Sequence, residues 1–90
     1  MRKKRELTPS EYKENVSSWL REAKKRGSTH LIVAYDLTKK NPFPVYVSGE
    51  SNVQQKIKSF NDNHFCNAVE VYNMKMDVDA QLLQGRSWNV

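Results

Sequence analysis

The chain has 90 residues, of which 38% are hydrophobic and 28% are charged, and its formal net charge is +5. This length allows one domain with one modest core and excludes a deep cleft between two domains. The composition excludes wholesale disorder, and a single cysteine, Cys66, excludes a disulfide framework. We therefore expect a protein of a reducing compartment, the cytoplasm, that packing alone holds together.

The sequence predicts no membrane span, and its basic N-terminus is not predicted to be a secretory signal. The longest apolar run, residues 31–35, is far shorter than a span, and no apolar stretch follows the basic residues 2–5. Charge is also uneven: residues 1–26 hold nine of the 15 basic and four of the 10 acidic side chains, whereas the rest of the chain is neutral. We interpret residues 1–7 as a basic N-terminal arm and residues 8–90 as a single domain.

The first helix is predicted from Thr8 onwards. Thr8, Pro9 and Glu11 form a capping box with proline at the first helical position, and Gly27 is a natural stop. A single apolar stripe follows at helical spacing: Tyr12, Val16, Trp19, Leu20 and Ala23. Self-association through this stripe is an alternative, but packing on the domain's own sheet is favoured.

Three strands and two further helices follow. Residues 30–37 are predicted to form a strand, whose continuous apolar run at residues 31–35 is typical of burial on both faces. Residues 43–48 are predicted to pair with it as a hairpin, in which Pro44 indicates an edge position. Ser51 and Gln54 suggest a second capping box at the start of the second helix. Residues 67–74 are predicted to form a third strand. Asp77 is predicted to cap a last helix that ends at Gly85, and Trp88 is expected to fold back on the domain. The prediction is an α+β domain, α-β-β-α-β-α, with a mainly antiparallel sheet of order 2-1-3 covered by helices.

No constellation of catalytic residues is recognisable, so the sequence predicts no enzyme, no metal site and no cofactor. His64 and Cys66 form an H-x-C pair without the further ligands that zinc needs, and the carboxylates of Asp77 and Asp79 suit a helix start better than a cation. Only three glycines are present, too few for a phosphate loop. Tyr35, Tyr46 and Tyr72 on predicted strands can stack on bases, but we favour ordinary strand packing because the RNA-binding signature is missing.

Residues 45–57 resemble the core of a GIY-YIG nuclease, in which a strand ends in Tyr-Ile-Gly and the next helix carries an arginine. Tyr46 matches the tyrosine, but Ser48 replaces the glycine and Lys56 the arginine. Lysine does not reproduce the phosphate fork of arginine, and the metal-binding glutamate of that family has no counterpart. An active nuclease of this type is the least favoured interpretation.

The patterns Pro-Val-Tyr-Val at residues 44–47 and Glu-Val-Tyr-Asn at residues 70–73, with Arg-Ser-Trp at residues 86–88, are similar to a group of small uncharacterised proteins encoded by bacteriophages and prophages. The resemblance covers residues 29–88. It implies an accessory protein of a bacterial cytoplasm and carries over no catalytic residue.

The favoured hypothesis is a non-catalytic protein that binds and occludes a host macromolecule, for example as an anti-defence inhibitor. Its partner is expected to be a host protein with an acidic surface, met by a basic patch on the arm and the first helix. The patch comprises Arg2, Lys3, Lys4, Arg5, Arg21, Lys24, Lys25 and Arg26. The alternative is nucleic-acid binding through the same residues, with a steep salt dependence.

Overall fold

A three-stranded sheet with helices on both faces organises the chain. The computed structural model describes residues 8–84 and 87–90. Its elements are α1 (Pro9–Arg26), β1 (His30–Asp36), β2 (Asn41–Val47), α2 (Glu50–Asn61), β3 (Cys66–Asn73) and α3 (Val78–Leu83). The strand order is β2-β1-β3, and both neighbours of β1 run antiparallel to it. The predicted α+β class, element order and strand order are confirmed.

Helix α1 begins and ends where the local sequence predicts. The Thr8 hydroxyl accepts a hydrogen bond from the backbone N–H of Glu11 at 3.2 Å, and the Glu11 carboxylate accepts one from the N–H of Thr8 at 2.9 Å. These bonds satisfy two donors that the first turn leaves open. Gly27 ends the helix with a positive φ of 73°, which glycine adopts without steric cost.

Strand β1 is the centre of the core. The side chains of residues 30–34 are buried and alternate between the two faces of the sheet, as a strand of period two requires. On one face α1 covers a cluster of Val16, Leu20, Ala23, Leu31, Val33 and Tyr72, with Tyr12 and Trp19 of the predicted stripe packed beside it. On the other face α2 covers Ile32, Val47, Val53, Ile57 and Val71.

Strand β2 lies at the sheet edge, as Pro44 indicated. It carries two prolines, Pro42 and Pro44, whose nitrogens face the same side of the strand because they are two residues apart. Proline offers no N–H to a ladder, so this spacing suits an edge that must not recruit a further strand.

Strand β3 contains a bulge that changes which face of the sheet its side chains lie on. Val33 pairs with Glu70, but Ala34 pairs with Ala68, so Val69 is left over between them. The extra residue breaks the alternation of the two faces. As a result, both Val69 and Glu70 contact the α1 side of the sheet.

The start of α2 differs from the prediction. The helix begins at Glu50 behind an N-cap of Gly49, which makes no side-chain cap, so the predicted capping box of Ser51 and Gln54 is wrong. The turn is held instead by the Asn52 side chain, whose amide donates to the carbonyl of Ser48 at 2.7 Å. Gly49 has a φ of 100°, which lets the chain leave β2 and enter the helix without an intervening loop.

The C-terminal segment folds back on the sheet as predicted for Trp88. The N–H of Val71 donates to the carbonyl of Ser87 at 2.9 Å, and the N–H of Asn89 donates to the carbonyl of Val71 at 3.0 Å. This short parallel pairing covers the outer side of β3, although the indole itself remains 45% exposed. The predicted helix stop at Gly85 lies outside the described residues.

Candidate functional site

The C-terminal half of α1 carries the described part of the predicted basic patch. Because the apolar stripe of α1 faces the sheet, the remaining positions face solvent. Arg21, Lys24, Lys25 and Arg26 are all exposed. The other four members of the patch, Arg2, Lys3, Lys4 and Arg5, lie outside the described residues.

Arg26 is engaged within the molecule. Its Nε donates to a carboxylate oxygen of Glu22 at 2.8 Å, and its guanidinium carbon lies 4.2 Å from the centre of the Tyr46 ring. The hydrogen bond raises the pKa of Arg26 and lowers the pKa of Glu22. Burial raises the pKa of Tyr46, so the phenol under Arg26 stays neutral at physiological pH. Arg26 thus links the end of α1 to Tyr46 of β2.

Arg21, Lys24 and Lys25 differ from Arg26. In residues 8–84 and 87–90, no hydrogen bond or ion pair holds any of these three side-chain heads. Arg21 and Lys24 are three residues apart and therefore neighbours on one face of the helix. Together with Lys25, they are the basic side chains that the C-terminal half of α1 leaves available to a ligand.

A groove runs between α1 and α3, and Arg21 and Lys24 stand on its α1 wall. Its floor is apolar, and the side chains that form it come from α1, from α3 and from the segment between β3 and α3. The groove consists of two adjoining hollows that share Lys24, Met74 and Val78. We call the two together the α1–α3 groove, defined by Ser17, Leu20, Arg21, Lys24, Gly27, Ser28, Met74, Met76, Val78, Asp79 and Leu82. Asp79 is the one carboxylate of this set and stands on the α3 wall.

The groove exposes apolar surface that the core does not cover. Met74, Val78 and Leu82 pack against the α1-side core cluster but remain half-buried. Met76 is 50% exposed. Sequence reasoning missed this floor. The signal that was available is the pair of methionines directly after β3, just ahead of the apolar positions of α3.

A second, polar cleft lies between β2 and α2. It is lined by Tyr46, Val47, Ser48, Asn52, Gln55, Lys56 and Ser59. Tyr46, Ser48 and Lys56, the three positions that carry the GIY-YIG resemblance, thus all border this cleft, but the Tyr46 ring packs on the α1 side of the sheet beneath Arg26. Lys56 is the only charged side chain in this lining, so the cleft holds no carboxylate that could bind a metal ion.

The strand tyrosines do not form a common surface. Tyr72 is 2% exposed and donates its hydroxyl to a carboxylate oxygen of Glu70 at 2.9 Å, so it is a core residue. Burial, followed by this hydrogen bond, raises the pKa of Tyr72. Tyr46 lies beneath Arg26, and Tyr35 is half-buried at the far end of β1. Base stacking on Tyr72 is excluded by its burial.

The remaining candidate side chains have local structural roles or stand apart. Asp77 caps α3, since one of its carboxylate oxygens accepts from the N–H groups of Asp79 and Ala80 at 3.0 and 3.1 Å. His64 is exposed ahead of β3, and Cys66 is a half-buried free thiol. Within the described ranges, no three histidine, cysteine or acidic side chains come close enough to share a metal ion.

The comparisons with known proteins are negative: no family model, no curated protein and no solved structure matches this chain. Over residues 8–84 and 87–90, no helix combines the length and the apolar composition needed to cross a bilayer.

Proposed function

We propose that this chain is a non-catalytic, phage-type accessory protein that binds an acidic surface of a host protein and occludes it. One observation supports the proposal above the others. Arg21 and Lys24 stand exposed on the rim of a groove whose floor is apolar, and no side chain in the described part of the chain pairs with either of them. An apolar centre with a charged rim is the usual anatomy of a protein-binding surface.

The charges and the floor have different roles in this proposal. Opposite charge on the partner speeds association and sets its orientation, whereas burial of the apolar floor supplies the affinity. Arg26, which is tied to Glu22 and Tyr46, holds the helix end in place and is less free than Arg21 and Lys24 to meet a partner. Lys25, which is not among the lining residues, adds attraction to an acidic partner, and the basic arm at residues 2–5 adds further positive charge.

The test is an affinity capture from bacterial lysate with the purified protein, with and without nuclease treatment, read by mass spectrometry. We expect one host protein to be retained in both arms and lost from the double variant Arg21→Glu/Lys24→Glu. Lys40→Glu/Lys58→Glu is the matched control, because it makes the same charge change at exposed positions outside the groove. It should capture the partner like the original chain.

Two outcomes contradict the proposal. If nuclease abolishes all retention, the patch binds nucleic acid, and binding should then weaken steeply as salt rises. If both double variants lose the partner equally, net charge and not the groove drives the capture.

A second candidate, a degenerate nuclease of the GIY-YIG type, is favoured by one observation: Tyr46, Ser48 and Lys56 line one cleft. Its test is nicking of supercoiled plasmid with added Mg²⁺. The candidate requires nicking that Tyr46→Phe abolishes and Tyr35→Phe leaves intact. Uncut plasmid with the original chain removes it.

A further inference from the structure

We infer that the α1–α3 groove takes an amphipathic helix of the partner, with its acidic side chains towards α1. This inference rests on the proposed function and specifies the chemistry of the partner at that site. It is carried by three properties of the groove: its floor, its length and the placement of its charges.

The floor suits a helix with an apolar stripe. Met74, Val78 and Leu82 form a half-buried row that continues the core outwards, and Met76 extends it towards solvent. Methionine side chains are flexible and polarisable, so they adjust to the shape of an incoming side chain. Surfaces of this kind bind helices whose anchors recur every three or four residues.

The length of the groove matches a short helix. It follows α1 from Ser17 to Gly27, which is about 15 Å along the axis at about 1.5 Å per residue. A docked helix of about three turns spans the same distance. Such a helix places about three anchor residues over the floor.

The charges set the orientation of the docked helix. Arg21 and Lys24 lie on the α1 wall, three residues apart, and Asp79 lies on the α3 wall. Two acidic side chains at helical spacing on the partner face the α1 wall, while a like charge towards Asp79 is unfavourable. The apolar floor and the Asp79 carboxylate also disfavour a phosphate backbone in this groove.

A strand is a poorer occupant than a helix. An extended peptide binds by adding to an open sheet edge. The edge next to this groove belongs to β3, and Val71 there already pairs with Ser87 and Asn89 of the C-terminal segment. Strand β2 forms the opposite edge of the sheet and carries Pro42 and Pro44.

The probe is a pair of synthetic 14-residue helical peptides that share leucines at positions 3, 7 and 10. One carries glutamates along one flank of the leucines, and the other carries lysines at the same positions. The methyl signals of Met74 and Met76, labelled with ¹³C, report binding by NMR. We expect the glutamate peptide to shift both signals and to bind at least about tenfold more tightly than the lysine peptide.

Charge exchange gives the decisive control. Arg21→Glu/Lys24→Glu should reverse the preference between the two peptides, and Lys40→Glu/Lys58→Glu should leave it unchanged. Unshifted methionine signals with the glutamate peptide, or equal affinity for both peptides, overturn the inference.

Substitutions in the apolar floor test this inference separately from the proposed function. Met74→Ser/Met76→Ser removes the methionines, with Met76→Ser alone as the substitute if the double variant fails to fold. Loss of the lysate partner from both the floor variant and the charge variant supports the inference. If the partner is lost only from the charge variant, the inference fails and the proposed function stands. If both variants keep the partner although the peptide binds the groove, the proposed function fails.

Discussion

Gln81 pairs through both ends of its side-chain amide with the backbone of Asn73. The N–H of Asn73 donates to the Gln81 carbonyl oxygen, and the Gln81 amide nitrogen donates to the carbonyl of Asn73, both at 2.8 Å. Gln81 is 2% exposed, and its oxygen also accepts from the Asn89 amide at 3.0 Å. One buried amide therefore joins α3, the end of β3 and the C-terminal segment.

This pairing predicts a large cost for an apolar substitution. Gln81→Leu keeps roughly the volume but removes the partner of both the N–H and the C=O of Asn73, which is half-buried. We expect the free energy of unfolding to fall by about 1–3 kcal/mol, because two half-buried backbone groups lose their bonds. Urea denaturation measures this change. Gln54→Leu, on the exposed face of α2, is the matched control and should change stability by less than about 0.5 kcal/mol.

Glu70 accepts two tyrosine hydroxyls on the same oxygen. Tyr12 donates at 2.8 Å and Tyr72 at 2.9 Å, and the carboxylate is only 6% exposed. Each Tyr→Phe change should cost about 1.5–3 kcal/mol, the range for bonds to a charged group. The double variant should cost more than the sum, because the second loss leaves the carboxylate with neither donor. Additive costs in denaturant melts, or an equal cost for Tyr35→Phe, contradict this coupling.

His30 makes stability depend on pH. It is fully buried, its Nδ1 lies 3.0 Å from the Thr29 hydroxyl, and its Nε2 has no partner in the described part of the chain. Burial lowers the pKa of His30 below its usual value of about 6.5, with Glu50 raising it and Lys75 lowering it to a smaller extent. As pH falls below about 6.5, the unfolded chain takes up a proton that the folded chain refuses, so stability falls.

The loss should approach about 1.4 kcal/mol per pH unit and end once pH reaches the lower pKa of the folded state. Thermal melts between pH 7.5 and 5 measure it. His30→Leu should flatten this dependence, whereas His64→Gln, at an exposed position, should retain it. An unchanged slope in the His30 variant contradicts the assignment.

Two glycines should respond unequally to alanine. Gly27 has a φ of 73° and open space around the position of a Cβ atom, so Gly27→Ala should cost about 1 kcal/mol. Gly49 has a φ of 100°, and a Cβ atom there would lie 3.3 Å from the Asn52 amide nitrogen. We expect about 2–3 kcal/mol for Gly49→Ala, since no favoured conformation of an L-residue lies there. Equal costs in denaturant melts would show that the turn before α2 adapts.

Local signals predicted elements well where the deciding contacts lie within a few residues. The Thr8 capping box, the Gly27 stop and the Asp77 cap depend on bonds between near neighbours, and all three are confirmed. The same kind of signal failed at Ser51, because Gly49 and Asn52 provide a competing turn, and the helix cap lies two residues earlier at Gly49. The strand order was also predictable, since the continuous apolar run at residues 31–35 favours a central strand, and residues 30–34 are buried in the structure.

The sequence by itself determined the helices, the strands, the central position of β1 and the basic character of α1, because period, caps and charge are properties of short segments. Only the tertiary structure decided which basic side chains remain free, that the β3 bulge directs Glu70 to Tyr12, and that Met74 and Leu82 meet Lys24 across a groove. The last two relations join residues 50 to 58 positions apart in the chain. Their partners are chosen by how α1 and α3 pack on the sheet, which no local pattern encodes.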